Sequence, residues 1–194
     1  MLLLNPLLKT SADLLAKQIE YEKRQALTSE ADRALELIGR AIRMAGYRSI
    51  NTRHRIQSDQ WIQIQKKSGY RGSDSLTVHH ELSSGVDFDC IGNALTQDRT
   101  KNGLARQGFL VDWQAGISKG AKVNGGSLIC QSLDRQGRLQ NTTLMNGVNS
   151  LLIHELVTPD KSPGQKLFKI RLQMTDGALL NMGLERTFSS RNLP

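Results

Sequence analysis

The feature that most constrains this chain is a long amphipathic stretch near its start. From Ser11 to Ala45 there is no proline, and only Gly39 interrupts a run of helix formers. Ala26, Ala31, Ala34, Leu35, Ile38, Ala41, Ile42 and Ala45 recur at spacings of three, four and multiples of these. That places them on one side of a 3.6-residue helix. Leu15 and Ile19 extend the stripe backward more thinly, and the opposite face carries Glu20, Lys23, Arg24, Glu30, Arg33, Glu36, Arg40 and Arg43. Glu36 and Arg40 stand at i,i+4, a spacing that supports a helix. Thr10 or Ser11 is expected as N-cap, with Asp13 in the first turn, and Gly46 stands where a C-cap glycine belongs. At 1.5 Å per residue such a helix is about 50 Å long, well beyond the usual globular length. Its C-terminal half, Ala31 to Ala45, has the denser stripe and is expected to pack on the rest of the chain. Its N-terminal half is more polar all round and is expected to project, as an element shared with partners.

After Gly46 the pattern changes to short β-type runs separated by Gly, Asn, Asp and Ser. Ile62–Gln65 and Leu76–His79 alternate with period two, and Gly108–Trp113, Ser127–Cys130, Gly147–Leu156 and Leu167–Met174 also read as strands. Asn102-Gly103, Asn124-Gly125-Gly126, Gln136-Gly137 and Asp176-Gly177 are turn signals. Pro159, Lys161, Ser162, Pro163 and Gly164 mark a loop between the last two long strands. The expectation is an α+β fold: one long N-terminal helix, residues 1–46, packed on an antiparallel sheet that makes up a head, residues 47–194, in a single structural domain.

Composition narrows the function classes. The chain has 194 residues, 38% hydrophobic and 23% charged, enough to bury a real core. Aromatics are only 5%, so Trp61 and Trp113 are expected in that core. Tyr47, just past the cap, is expected against the sheet. The net charge of +8 invites a nucleic-acid reading. The basic groups Lys66, Lys67, Arg71 and Arg48, Arg53, Arg55 carry no nucleic-acid motif, and they read as a solvated basic face. His79 and His80 lie on opposite faces of a strand, and His54 and His154 have no ligand spacing, so no metal site is expected. Asp87 and Asp89 read as a solvated acidic loop, although two carboxylates on one face also suit calcium. Gly116, Gly120, Gly125 and Gly126 follow no phosphate-loop spacing and read as turns. No catalytic residue, cofactor-binding residue or cofactor is expected. Cys90 and Cys130 read as a disulfide in an exported chain and as buried thiols in a cytosolic one. No apolar stretch is long enough to span a bilayer. The start, Met1 to Leu8, is apolar but stops at Lys9; it reads as the tail of a longer apolar segment or as an ordinary N-terminus.

Six pieces in order resemble the PilW-type minor pilins of type IV pili. Ala45-Gly46-Tyr47 resembles the turn on which that family closes its helix. Gly72-Ser73-Asp74-Ser75-Leu76-Thr77-Val78 is similar to its GSD-x-LTV strand, and Asp89-Cys90-Ile91-Gly92 to its Asp-Cys-x-Gly. Leu128-Ile129-Cys130 resembles the strand with the second cysteine, Leu144-Met145-Asn146-Gly147-Val148 the next strand, and Arg186 to Asn192 the closing segment. The family's N-terminal Gly-Phe-Thr-Leu-x-Glu and apolar helix are not in this sequence. The resemblance implies that a membrane helix precedes Leu2–Leu4 in the native protein, with Met1 an added start. It further implies export to the periplasm, hence a Cys90–Cys130 disulfide, and a non-enzymatic role. That role is co-assembly with other minor pilins and the major pilin, priming the fibre and occupying its tip. The chain would wait in the inner membrane, facing the periplasm, and end in the surface fibre. Leu15, Ile19, Glu20, Lys23 and Arg24 would face neighbouring subunits, joined by Glu22. The alternatives are a J-type pseudopilin of a type II secretion system and a basic tip module that binds DNA or a surface ligand.

Overall fold

The computed structural model describes residues 4–49, 61–114, 125–156, 165–177 and 180–193. Its first element is a helix, α1, of 41 residues from Leu4 to Met44. The helix therefore begins before the N-cap expected at Thr10 or Ser11, and both residues lie inside it. The reason is local. Pro6 stands in the first turn, where the N–H it lacks has no intrahelical partner anyway, and Leu7, Leu8 and Lys9 are strong helix formers. Asp13 is correspondingly interior, and the first turn holds no acidic residue. At the other end Ala45 N donates to Ala41 O at 3.0 Å, and Gly46 takes a φ of +75°, the left-handed cap that glycine adopts without strain.

The rest is one antiparallel sheet of seven strands in sequence order. These are β1 (Ile62–Gln65), β2 (Ser75–Glu81), β3 (Leu104–Asp112), β4 (Gly126–Leu133), β5 (Leu139–Leu156), β6 (Leu167–Thr175) and β7 (Asn181–Ser189). Single 3-10 turns occur at Tyr70–Gly72 and Gln97–Arg99. Every strand expected from sequence is present, and β7 adds one that was not. It is an amphipathic edge strand whose apolar residues Met182, Leu184 and Phe188 skip a place at Arg186, which blurs the period-two signal. The loop residues Pro159, Lys161, Ser162, Pro163 and Gly164 lie outside the described residues. So do Arg53, His54, Arg55, Gly116, Gly120 and Asn124.

β5 is 18 residues long and serves two neighbours in turn. Its first half pairs with β4 as far as Val148, its second half pairs with β6, and bulges mark the change. Gly147 at φ +74° sits at the bend. Past the bend, Leu151 and Ile153 leave the β4 ladder, and the turn before β2 closes onto them. Asp74 N donates to Leu151 O at 2.8 Å, and Asp74 Oδ2 accepts from Ile153 N at 2.9 Å. Ser73 Oγ accepts from Leu151 N at 3.3 Å. The sheet thus curls, and Ser73 and Asp74 form the seam.

All seven residues expected on the core face of the helix are buried: Ala31, Ala34, Leu35, Ile38, Ala41, Ile42 and Ala45. They pack with the inward residues of β2 to β6, among them Val78, Phe109, Leu128, Ile153, Phe168 and Ile170, in one core. Alternation along β6 shows why these strands form: Phe168, Ile170, Leu172 and Met174 point inward, with Lys169, Arg171 and Gln173 between them. The small residues bring helix and sheet close. A Cβ on Gly39 would stand 2.3 Å from the Phe188 ring, so the glycine expected only as an interruption is the seat of an aromatic side chain. Trp61 is fully buried, as expected. Trp113 is not, being 65% exposed. It shares the parity of the buried Phe109 and Val111, but β3 ends at Asp112, whose carboxylate accepts from Trp113 N at 2.7 Å. The strand stops there, and the ring lies outside against Tyr70 at 4.8 Å, edge to face.

Candidate functional site

The helix divides at about Thr28. From Leu8 to Ala26 every residue is exposed, and the first fully buried one is Ala31. Thr28 marks the boundary, with its hydroxyl 2.8 Å from Arg24 O and 3.9 Å from Met182 Sδ of β7. The projecting part carries Leu8, Leu14, Leu15, Ile19 and Tyr21, each more than half exposed. Leu8, Leu15 and Ile19 follow one another at seven and four residues, hence on one face, and Leu14 and Tyr21 lie on an adjacent strip. On a regular helix these large apolar side chains are left in water. Leu8, Leu14 and Tyr21 were not singled out from sequence, although their spacing carried the signal.

The charged side chains expected to reach neighbouring subunits have contacts within this chain. Arg24 pairs with Glu20 at 3.4 Å one turn away, Gln18 donates to Glu22 at 3.0 Å, and Lys23 reaches Asp176 of the head at 3.8 Å. These are exposed pairs that change partners at little cost. The expected Glu36–Arg40 pair does not form. Glu36 accepts from Arg43 at 2.5 Å, while Arg40 donates to Asp89 O at 3.1 Å. Arg186 of β7 meets Asp32 at 2.8 Å, and Asn192 Nδ2 donates to Arg43 O at 2.9 Å. The upper helix is therefore clamped by apolar burial on one side and by polar contacts from both ends of the head.

Arg40 leans on the loop that carries the disulfide. Cys90 and Cys130 are bonded across 40 residues, with Cα atoms 6.1 Å apart, which ties the β2–β3 connection to β4. Both sulfurs are buried in the core beneath the helix. The acidic loop expected to be solvated is instead a folded turn. Asp89 is fully buried and accepts from Ile91 N at 3.0 Å and Asn93 N at 2.8 Å, with Arg99 at 3.8 Å. Asp87 accepts from Ser83 N at 2.6 Å and Ser83 Oγ at 2.8 Å. Each carboxylate is occupied in closing the loop, as short polar side chains do in turns.

His79 and His80 do face opposite ways. His80 is buried, with Nδ1 2.9 Å from Glu81 O and Nε2 3.2 Å from Gln107 Nε2. That fixes the tautomer with hydrogen on Nδ1, and burial pushes its pKa down. His154 is exposed on β5. Among the described residues no group of three or more His, Cys, Asp or Glu is placed to hold a metal ion. Among them, too, no helix is long and apolar enough to cross a membrane. Of the basic groups, Lys66 bonds Asp74 at 2.9 Å and also Ile153 O, and Arg48 lies 5.1 Å over Trp61. Arg71 lies 5.3 Å over Tyr70, the ring that the exposed Trp113 meets edge to face.

Comparison with family models, with curated proteins and with solved structures finds no match to this chain.

Proposed function

We propose that this chain is a fibre-assembly subunit of the minor-pilin kind, a binding and structural protein that makes and breaks no covalent bond. One observation supports this above the rest: a single continuous helix is core for its last third and carries bare leucine, isoleucine and tyrosine along its projecting part. A globular protein with no helical partner gains nothing from that arrangement, because the exposed stripe leaves apolar area in water. In an assembly the same stripe packs between neighbouring helices, and the pairs around Glu20, Lys23 and Arg24 exchange internal partners for external ones to set register. The partners in this reading are other minor pilins and the major pilin, met in the periplasm at the inner membrane and then in the fibre. A J-type pseudopilin would use the same geometry in a secretion system. The two are told apart by deleting the gene and scoring surface fibres against protein secretion.

The direct test is a photo-crosslinking amino acid at Leu15 or Ile19 in the native cell, followed by mass spectrometry of sheared fibres and membranes. Crosslinks to the helices of other pilin subunits are expected. Crosslinks confined to this chain's own head, with normal fibres in an Ile19→Asp strain, overturn the reading. The exposed Trp113, set against the Tyr70 ring over which Arg71 lies, favours a second reading, a tip module that stacks single-stranded nucleic acid on the indole. Binding that is lost with added salt and with Trp113→Ala supports that reading, and no binding at low salt removes it.

A further inference from the structure

On the sheet, away from the helix, β2 and β3 with the turns beside them enclose a cavity of about 310 Å³. That is the lower end of the size range of small-molecule sites. Its polar wall is cationic: Arg106 and Lys101, with His79 directly opposite Arg106 in the strand register. Its other wall is apolar, made by Leu104, Leu133 and Leu139. Among the described residues no aspartate or glutamate lines it.

Three facts distinguish this cluster from an ordinary basic surface. Several cations elsewhere among the described residues are paired, as in Lys66–Asp74, Arg99–Asp89, Arg138–Asp134, Lys166–Glu155 and Lys169–Glu185. Arg106 and Lys101 have no ion-pair partner among those residues. Second, Arg106 Nε is buried and has no hydrogen-bond partner among the described residues, an uncommon state for a guanidinium N–H. Third, hydrogen-bonded turns form the walls. Lys101 and Leu104 exchange two backbone bonds, of 2.9 and 3.1 Å, around the Asn102-Gly103 turn, whose φ values are +55° and +75°. The β4–β5 turn opposite is closed by Asp134 N to Arg138 O at 2.8 Å. A preformed cationic pocket with a buried unmet donor is what an anion site looks like before its ligand arrives.

We propose that this cavity binds a small amphiphilic carboxylate. Its oxygens face Arg106, whose planar fork matches a carboxylate, and Lys101; its apolar body lies on Leu104, Leu133 and Leu139. This site is independent of helix-mediated assembly. The test is calorimetry or NMR titration of the whole chain with benzoate or hexanoate, against acetate, inorganic phosphate and hexylamine at constant ionic strength. Saturable binding of benzoate or hexanoate is expected, weaker for acetate and phosphate and absent for hexylamine. Arg106→Gln should weaken it about tenfold or more, and Lys101→Gln, on an exposed turn, should weaken it less. Circular dichroism and melting of both variants establish that the fold is intact. Leu139→Ser, on the rim, should weaken hexanoate more than acetate. Equal binding of phosphate and hexanoate, binding unchanged in Arg106→Gln, or no saturable binding each overturn the proposal.

Discussion

The two parts of one helix obey different physics. From Ala31 to Ala45 the buried side chains are small or branched and meet the sheet so closely that Gly39 has room for nothing but hydrogen beside Phe188. From Leu8 to Ala26 the same backbone geometry holds, yet every residue there is exposed. Regular helix therefore says little about where stability resides. Stability resides where burial is complete, and the exposed part leaves its apolar residues in water.

The contrast can be broken or sharpened by experiments of decreasing size. Reducing the Cys90–Cys130 bond, or replacing both cysteines with serine, removes a 40-residue crosslink, worth about 4 kcal/mol in the loop-entropy model. Denaturant titration with and without reductant measures it, and an unchanged midpoint would show that the head holds the β2–β3 connection without the bond. Ile38→Ala should cost about 3 kcal/mol, while Ile19→Ala, on the exposed part, should stay within about 0.5 kcal/mol. Equal losses in paired thermal melts would erase the distinction between the halves. Gly39→Ala pits a helix-propensity gain of about 1 kcal/mol against overpacking of about 1–3 kcal/mol. Net destabilisation is expected, relieved by Phe188→Leu.

Asp74 tests the seam. Burial would raise its pKa, but bonds from Ile153 N, Lys66 and Lys67 N outweigh burial and hold the carboxyl below its usual value. Its contribution is therefore full above the unfolded carboxylate pKa and fades as pH falls through the lower folded value. Asp74→Asn should cost about 1–3 kcal/mol at neutral pH and show a smaller loss of stability than the unaltered chain on going from pH 6 to pH 3. Smallest is Arg24→Glu, which replaces an exposed pair with a like-charge contact to Glu20 and should cost only a few tenths of a kcal/mol. Its expected consequence is in fibre assembly, and normal fibres in that strain would free the lower helix from the role proposed for it.

The upper helix was legible because seven core residues in fifteen repeat with the helical period, a signal that burial enforces. The lower helix was placed too late because Thr10 and Ser11 look like caps, and cap chemistry is weaker than a surrounding run of helix formers. Strand positions were legible wherever one face is core, as in β6. They blurred in β7, and in the first half of β5, where Gln140, Asn141, Thr142 and Thr143 hide a strand that the partner ladder imposes. Trp113 was misplaced because alternation holds only while a strand continues. The cavity beside Arg106 was out of reach, since Lys101, Arg106 and Leu139 meet only through strand register and two turns.

The way the helix is fastened has a mechanical consequence. Asn192, close to the end of the chain, holds the Arg43 carbonyl, and Gly46 N donates to His79 O at 3.1 Å, so the buried end is gripped by early and late parts of the head together. A pull on the projecting shaft, directed along its axis, is then carried in shear. The contacts from Ala31 to Ala45 bear the load in parallel instead of peeling away one after another.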